Sequence, residues 1–330
     1  IYILDAYDGD KVVAYTGWSG TVKTSPLPWF SMVYVDKTWF KQNNGQIAIK
    51  IKFDIAWNFD NFEGPIYIKY NTKEMPKINN YYCGDTHYHS DYTDTNFIGV
   101  WGELGAPILF TLTAGESLDF DWVTITDHSN SFNAHKNDNK SWDNFKVECN
   151  KYSKCLIGEE INCDPDNNGN SLPGNHYLAY DITTGLKDDG TNAPSCSNVI
   201  NNVLGQGGFG YVAHPESNDD IIIPDQIITK WQNYLLPFTG LEVWNGEISS
   251  DLDSGLEKWK DVLLGRNGLN PRKVFISAGS DAHGDFQNFG KEYTCVYAPY
   301  YSKQNIFNGL KNGNSFISNN GALALKLNDI

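Results

Sequence analysis

The chain has 330 residues, enough for one large domain or two ordinary ones. Hydrophobic residues make up 40% and charged residues 20%, which excludes a globally disordered chain. A formal net charge of −15 argues against a non-specific nucleic-acid binder with a broad basic face, and no apolar run reaches the 18 residues of a membrane span.

The chain opens on Ile1 in a strand-like run, as a mature or trimmed form would, so the lack of a signal peptide there carries little weight. Residues 1–80 read as β. Alternating runs such as KVVAY, FSMVYV, QIAIKIKFDIAW and PIYIKY are separated by Gly, Asn, Asp and Pro turns. This segment contains no histidine or cysteine and is expected to be a small all-β, sandwich-like domain without chemistry of its own.

From residue 81 the pattern changes. Seven short apolar runs end in polar clusters: YYCGDTHYHSD, FDWVTITDHS, KCLIGEEI, NHYLAYDI, GYVAHPE, GLEVWNG and VFISAGSDAHG. PDQIITKWQNYLL, SGLEKWKDVLL and KQNIFNGLKNG have helical periodicity. Strand, polar tip and helix in repetition predict an α/β barrel over 81–330, with its active site at the C-terminal ends of the strands. Residues 129–153 and 163–175 read as long polar loops, and the last 15 or so residues as strands returning to the N-terminal β-domain. GQGGFG at 205–210 matches a dinucleotide-binding pattern but precedes a strand, where that site needs a helix.

The six cysteines include no CxxC pair, so zinc-finger spacing is absent. Two readings stand: buried thiols, or one or two local disulfides near 149–163 in an exported protein.

The histidines carry the chemistry. His87 and His89 form HxH on a strand, where alternation points both side chains to one face. Asp94 follows in HSDYTD, His128 ends WVTITDH, Glu160 sits in GEE, His176 opens HYLAYD, His214 ends GYVAHP, and Asp281 and His283 form DxH. Only His135 lies apart, in a polar loop. One histidine is more often structural than a ligand, but six at strand tips beside carboxylates point to a metal centre. This mix of nitrogen and carboxylate donors suits Zn, Mn or Fe. Asp127 and Glu242 are candidates to orient the ligands, or are merely capping or solvated carboxylates. Tyr88, Tyr92, Tyr177 and Trp244 near the motifs are read as packing.

The order HxH, TDH, GxE, lone His, AHP and SDAH resembles the PHP (polymerase and histidinol phosphatase) superfamily over residues 81–325, and GDTHYHSD with NSFISNNGALAL looks most like its carbaryl-hydrolase-like branch. The resemblance implies a distorted seven-stranded β/α barrel holding two or three divalent ions. By it, His87, His89, Glu160 and Asp281 hold the first ion; Glu160, His176 and His214 the second, with Glu160 bridging; and Asp94, His128 and His283 the third. Glu159 and Asp91 are adjacent alternatives that the family spacing disfavours. The implied activity is a metal-dependent phosphoesterase using a metal-bridging hydroxide on a small-molecule ester. No Lys or Arg lies in a metal motif, which keeps open a carbamate, ester or amide substrate on the same site. The aromatic N-terminal segment keeps open a non-catalytic, secreted binding protein. The cysteines and β-domain favour an extracytoplasmic location.

Overall fold

The computed structural model describes residues 5–8, 11–15, 79–93, 105–134, 140–165, 175–186, 193–217, 230–246, 249–284 and 289–319. At the N-terminus the strands β1 (Asp5–Asp8) and β2 (Lys11–Tyr15) pair antiparallel, so the KVVAY run is extended as expected. The runs FSMVYV, QIAIKIKFDIAW and PIYIKY, and with them the expected sandwich, lie outside the described residues.

Each of the seven apolar runs forms a strand: β3 (Tyr81–Tyr88), β4 (Trp122–Ile125), β5 (Cys155–Cys163), β6 (Asn175–Tyr180), β7 (Phe209–Val212), β8 (Gly240–Asn245) and β9 (Phe275–Gly279). The expected count of seven is not confirmed for the sheet as a whole, because two further strands extend it beyond β3. β10 (Tyr293–Tyr297) and β11 (Ser315–Ser318) join the same sheet, which among the described residues has nine strands in the order β11-β10-β3-β4-β5-β6-β7-β8-β9. β11, at the start of the C-terminal segment expected to return to the N-terminal domain, pairs antiparallel with β10; residues 320–330 lie outside the described residues. The two ends of the run from β3 to β9 meet. Thr86 Oγ1 donates to Ala278 O (2.9 Å), Asp281 N to His87 O (2.9 Å) and His89 N to Ala282 O (3.0 Å), making a nearly closed, barrel-like sheet.

The sheet is mixed: β3, β4 and β5 run parallel to one another, as do β7, β8 and β9, but β6 runs antiparallel to both β5 and β7, and β10 to both β3 and β11. The reversal of β6 matters for the site: its first residues lie beside the C-terminal end of β5, with Asn162 opposite His176. Six helices complete the described fold: α1 (Ile108–Ser117), α2 (Ser129–Ala134), α3 (Trp142–Cys149), α4 (Cys196–Gly205), α5 (Ser249–Leu264) and α6 (Lys303–Asn312). The stretch 129–153, expected as a loop, contains α2 and α3; Ser141 Oγ caps α3 by accepting from Asn144 N at 3.3 Å. Of the helix expected in PDQIITKWQNYLL, residues 230–236 are not helical. GQGGFG runs from the end of α4 into β7, the reverse of a dinucleotide-binding turn.

Alternation sets which side chains face the barrel interior, and along that face the residues change from an apolar base to a polar mouth. On β5, Leu156, Gly158 and Glu160 share one face, and Leu156 packs with Trp122, Leu178, Tyr180, Phe209 and Tyr211. α6 closes this base with Ile306, Phe307 and Leu310. Each of these buried side chains contributes about 2 kcal/mol relative to exposure. Local signals fix α6: Ser302 Oγ accepts from Asn305 N at the start, and Gly313 takes φ 71° at the end. None of the described helices is long and apolar enough to cross a membrane.

All six cysteines are paired: Cys83–Cys295, Cys149–Cys155 and Cys163–Cys196. Only one bridge is confined to the 149–163 window. Cys155 and Cys163 are the first and last residues of β5, so the strand bearing Glu160 is fastened at one end to α3 and at the other to α4. Cys83–Cys295 ties β3 to β10 across 212 residues of chain, a closure worth about 4 kcal/mol or more on the chain-entropy account.

Candidate metal centre

At the mouth, β3 delivers His87 and His89; both are fully buried. β5 delivers Glu160, and β6 delivers His176. His128, His214, Asp281 and His283 lie just beyond the ends of β4, β7 and β9. His214 (φ 27°) and Asp281 (φ 51°) sit in the left-handed region, a strained backbone for non-glycine residues that turns both side chains back over the strand ends. Gly279 is needed at the same seam, because a Cβ there would stand 2.6 Å from both Glu242 Oε1 and His87 Cβ.

Four donor atoms converge first. His87 Nε2 and His89 Nε2 are 3.1 Å apart, and Asp281 Oδ1 lies 3.2 and 3.1 Å from them. Glu160 Oε2 lies 3.4 Å from His87 Nε2 and 3.1 Å from His89 Nε2. Donors bound at roughly 2.1 Å around one ion stand about 3.0–3.4 Å apart, so these separations fit a shared cation. Glu160 Oε2 is also 2.9 Å from His128 Nδ1, yet none of its three ring-nitrogen neighbours is aligned as a hydrogen bond. Nitrogens crowded around an oxygen without hydrogen-bond geometry are what a ligand shell requires. The other oxygen, Oε1, faces a different pair: His176 Nδ1 at 2.7 Å and His214 Nε2 at 3.2 Å.

Among the described residues, three groups are close enough to hold a metal ion: His87, His89, Glu160 and Asp281; His128, Glu160 and His176; and His89, His128 and His283. The grouping thus brings together every described candidate ligand except His214, which joins through Glu160 Oε1. Asp94 and His135 lie outside the described residues. Glu159 points to the opposite face, where its Oε2 accepts from Leu186 N at 2.8 Å. Asp91 pairs with Lys140, and burial pushes its carboxyl up to about 6. Tyr88 and Tyr177 are fully buried and Tyr92 nearly so, in line with packing.

The electrostatics are those of carboxylates and imidazoles that stabilise one another's charged forms against burial. Burial works to raise Glu160, but His176, His87 and His128 hold its carboxyl well below the usual range. Burial likewise opposes ionisation of Asp281, and His87 and then His89 overcome it. Burial works against charging His87, but the carboxylates of Asp281, Glu242 and Glu160 raise its pKa well above that of free imidazole. His89 and His214 are raised against burial in the same way, whereas burial leaves His176 lowered.

Both orienting candidates are buried and hydrogen-bonded. Glu242 places Oε1 and Oε2 3.2 and 3.1 Å from His87 Nδ1, and Oε2 accepts from His214 N at 3.1 Å. Asp127 accepts from Ser90 N (2.7 Å), Ser90 Oγ (2.6 Å), Thr93 N (3.1 Å) and Thr93 Oγ1 (2.8 Å). Thr93 Oγ1 in turn lies 3.0 Å from His89 Nδ1. Asp127 therefore reaches the centre through Thr93. Sequence reasoning missed Thr93, and also Asp85, whose Oδ1 accepts from His87 N (2.9 Å) and Ser280 N (3.1 Å) across the closing seam. Burial pushes Asp85 up to about 7. No periodicity marks either residue; each is recognised by what it touches.

The class defined so far is a mixed α/β, barrel-like protein with a histidine–carboxylate centre at its mouth. No protein-family model matches the chain. No curated protein matches it either. Among solved structures it is similar to a two-domain protein from Bacteroides vulgatus containing a predicted PHP-like metal-dependent phosphoesterase, with 21% identity, TM-score 0.49, and coverage of 76% of this chain and 69% of that one. It is also similar to PsfC from Pseudomonas syringae (13% identity, TM-score 0.45, 72% and 91% coverage). A third is the lesion-specific endonuclease PfuEndoQ from Pyrococcus furiosus (14% identity, TM-score 0.43, 72% and 57% coverage).

Proposed function

We propose that this chain is a metal-dependent hydrolase acting on phosphate esters at a centre of two or three divalent ions. The observation that carries the reading is the division of Glu160: Oε2 faces His87, His89 and His128, while Oε1 faces His176 and His214. A carboxylate shared in this way is suited to bridge two cations. His87, His89, Glu160 and Asp281 would hold one ion, Glu160, His176 and His214 a second, and His128 and His283 with Asp94 a third. Bound there, the ions would lower the pKa of water to supply a nucleophile and would polarise the ester oxygen. The protein's own part is orientation and access. His87 and His89 are sealed from solvent, whereas Asp281 (24% exposed), His283 (21%), His128 and His176 (both 14%) form the open side on which a substrate would dock. Phosphate as the target rests on the ordered motifs and their resemblance to the PHP superfamily. The absence of Lys and Arg from those motifs supports a second reading, a carbamate, ester or amide bond cleaved on the same centre.

The test is chelation followed by reloading with Zn, Mn or Fe(II), assayed on an aryl phosphomonoester, a bis-aryl phosphodiester and an aryl carbamate. Turnover of a phosphate ester only after reloading is expected. Turnover confined to the carbamate would move the assignment to the second reading, and no metal uptake would sink both. Calorimetry in buffers of different ionisation enthalpy should show proton release on metal uptake near pH 7. The sign follows from the raised His87, His89 and His214: a metal takes only the neutral ring, so affinity rises with pH through their raised values and falls on acidification.

The three disulfides support folding in an oxidising compartment, and we propose an extracytoplasmic location. Alkylation of the natural protein before reduction should label no thiol; labelling of all six cysteines would exclude the proposal.

A further inference from the structure

Resting on the metal-centre reading, we infer that Asn245 is a positioning residue that fixes Asp281 as a one-oxygen ligand. Asn245 Nδ2 donates to Asp281 Oδ2 (3.2 Å) and to Glu242 Oε2 (3.0 Å). Both partners are carboxylate oxygens, which only accept, so the amide must present its NH2 to them. The other Asp281 oxygen, Oδ1, is the one beside His87 Nε2 and His89 Nε2. Asn245 thereby holds one oxygen back while the other faces the ring nitrogens. It also couples Asp281 to Glu242, which itself contacts His87 Nδ1 and His214 N. One amide thus links the supports of His87, His214 and Asp281.

The backbone is shaped to allow this. In a regular strand Glu242 and Asn245, three positions apart, would face opposite sides. β8 and β9 pair Glu242 with Ser277 but Trp244 with Ala278 and Asn245 with Gly279, so β8 carries one extra residue, Val243, in a bulge. A bulge reverses the alternation beyond it and re-aims the following side chains. That shift turns Asn245 to the Glu242 side, and Gly279 opposite it leaves room for Glu242 and His87 to approach.

The test uses the whole chain loaded with Co(II), whose visible absorption reports coordination number. Asn245→Ala frees Oδ2; Asn245→Asp keeps the shape but replaces the donor with a third carboxylate. Both are expected to lower cobalt affinity about 10- to 100-fold and to weaken and shift the visible bands as Asp281 engages with both oxygens or rotates away. The metal-free variants should keep the wild-type circular dichroism. Wild-type cobalt affinity and spectrum in both variants would overturn the inference and leave the metal centre standing. Loss of the metal-free fold in both would overturn it too, marking Asn245 as merely structural. Failure of the wild-type chain to take up cobalt would overturn the metal reading itself.

Discussion

Glu160→Ala is expected to abolish turnover, by about 10³-fold or more, and to remove metal rather than merely weaken its binding. The side chain is 1% exposed, and its two oxygens serve two sets of histidines. Losing it opens both proposed sites at once. It also leaves His87, His128 and His176 without the carboxylate whose own ionisation they support against burial. Elemental analysis of the purified variant checks this directly, and Asp94→Ala, touching only the third proposed ion, should lose less. Equal metal content in the two variants would contradict the bridging role. The neighbouring residue supplies the control. Glu159 points outward and accepts from Leu186 N, so Glu159→Ala should keep metal and turnover while costing about 1–3 kcal/mol of stability for the stranded amide.

Asp127→Ala should be the most damaging change outside the proposed ligands. Four buried donors, two backbone amides and two hydroxyls, converge on this carboxylate. Each donor left unpaired costs about 1–3 kcal/mol, and because the four share one site their losses will not simply add. A destabilisation of about 3–5 kcal/mol is expected in chemical denaturation. The loss should reach the metal centre, because Ser90 and Thr93 shape the turn after His89 and Thr93 Oγ1 contacts His89 Nδ1. Thr93→Val separates the two effects. It keeps the shape and removes one hydroxyl, so it should lower metal affinity about 10- to 100-fold with a smaller loss of stability. Wild-type metal affinity in Thr93→Val would show that Asp127 supports the fold alone.

Much of this protein is written locally in its sequence. The seven apolar runs become strands because each is a β-rich stretch closed by turn residues, information a few neighbouring positions contain. α6 is equally legible, from its capping Ser302 to Gly313. His87 and His89 share a face because strand alternation demands it; the choice of Glu160 over Glu159 comes from the spacing of the resembled family, and the structure supplies the physical reason, since Glu160 shares the inward face of Leu156. What the sequence could not decide depends on contacts between distant residues. Six cysteines allow fifteen pairings, and neither Cys83–Cys295 nor Cys163–Cys196 has a local signature. The two extra strands are set by pairing across the sheet, and so is the reversal of β6 that carries His176 to the mouth. Residues 230–236 have a helical period but are not helical, as tertiary context overrides periodicity. The roles of Asp85, Thr93 and Asn245 are likewise tertiary. A carboxylate, a hydroxyl or an amide becomes a positioning group only when a second chain segment brings an acceptor or donor to about 3 Å. Sequence named the candidate ligands; strand order, one bulge and the closing seam decided which of them meet.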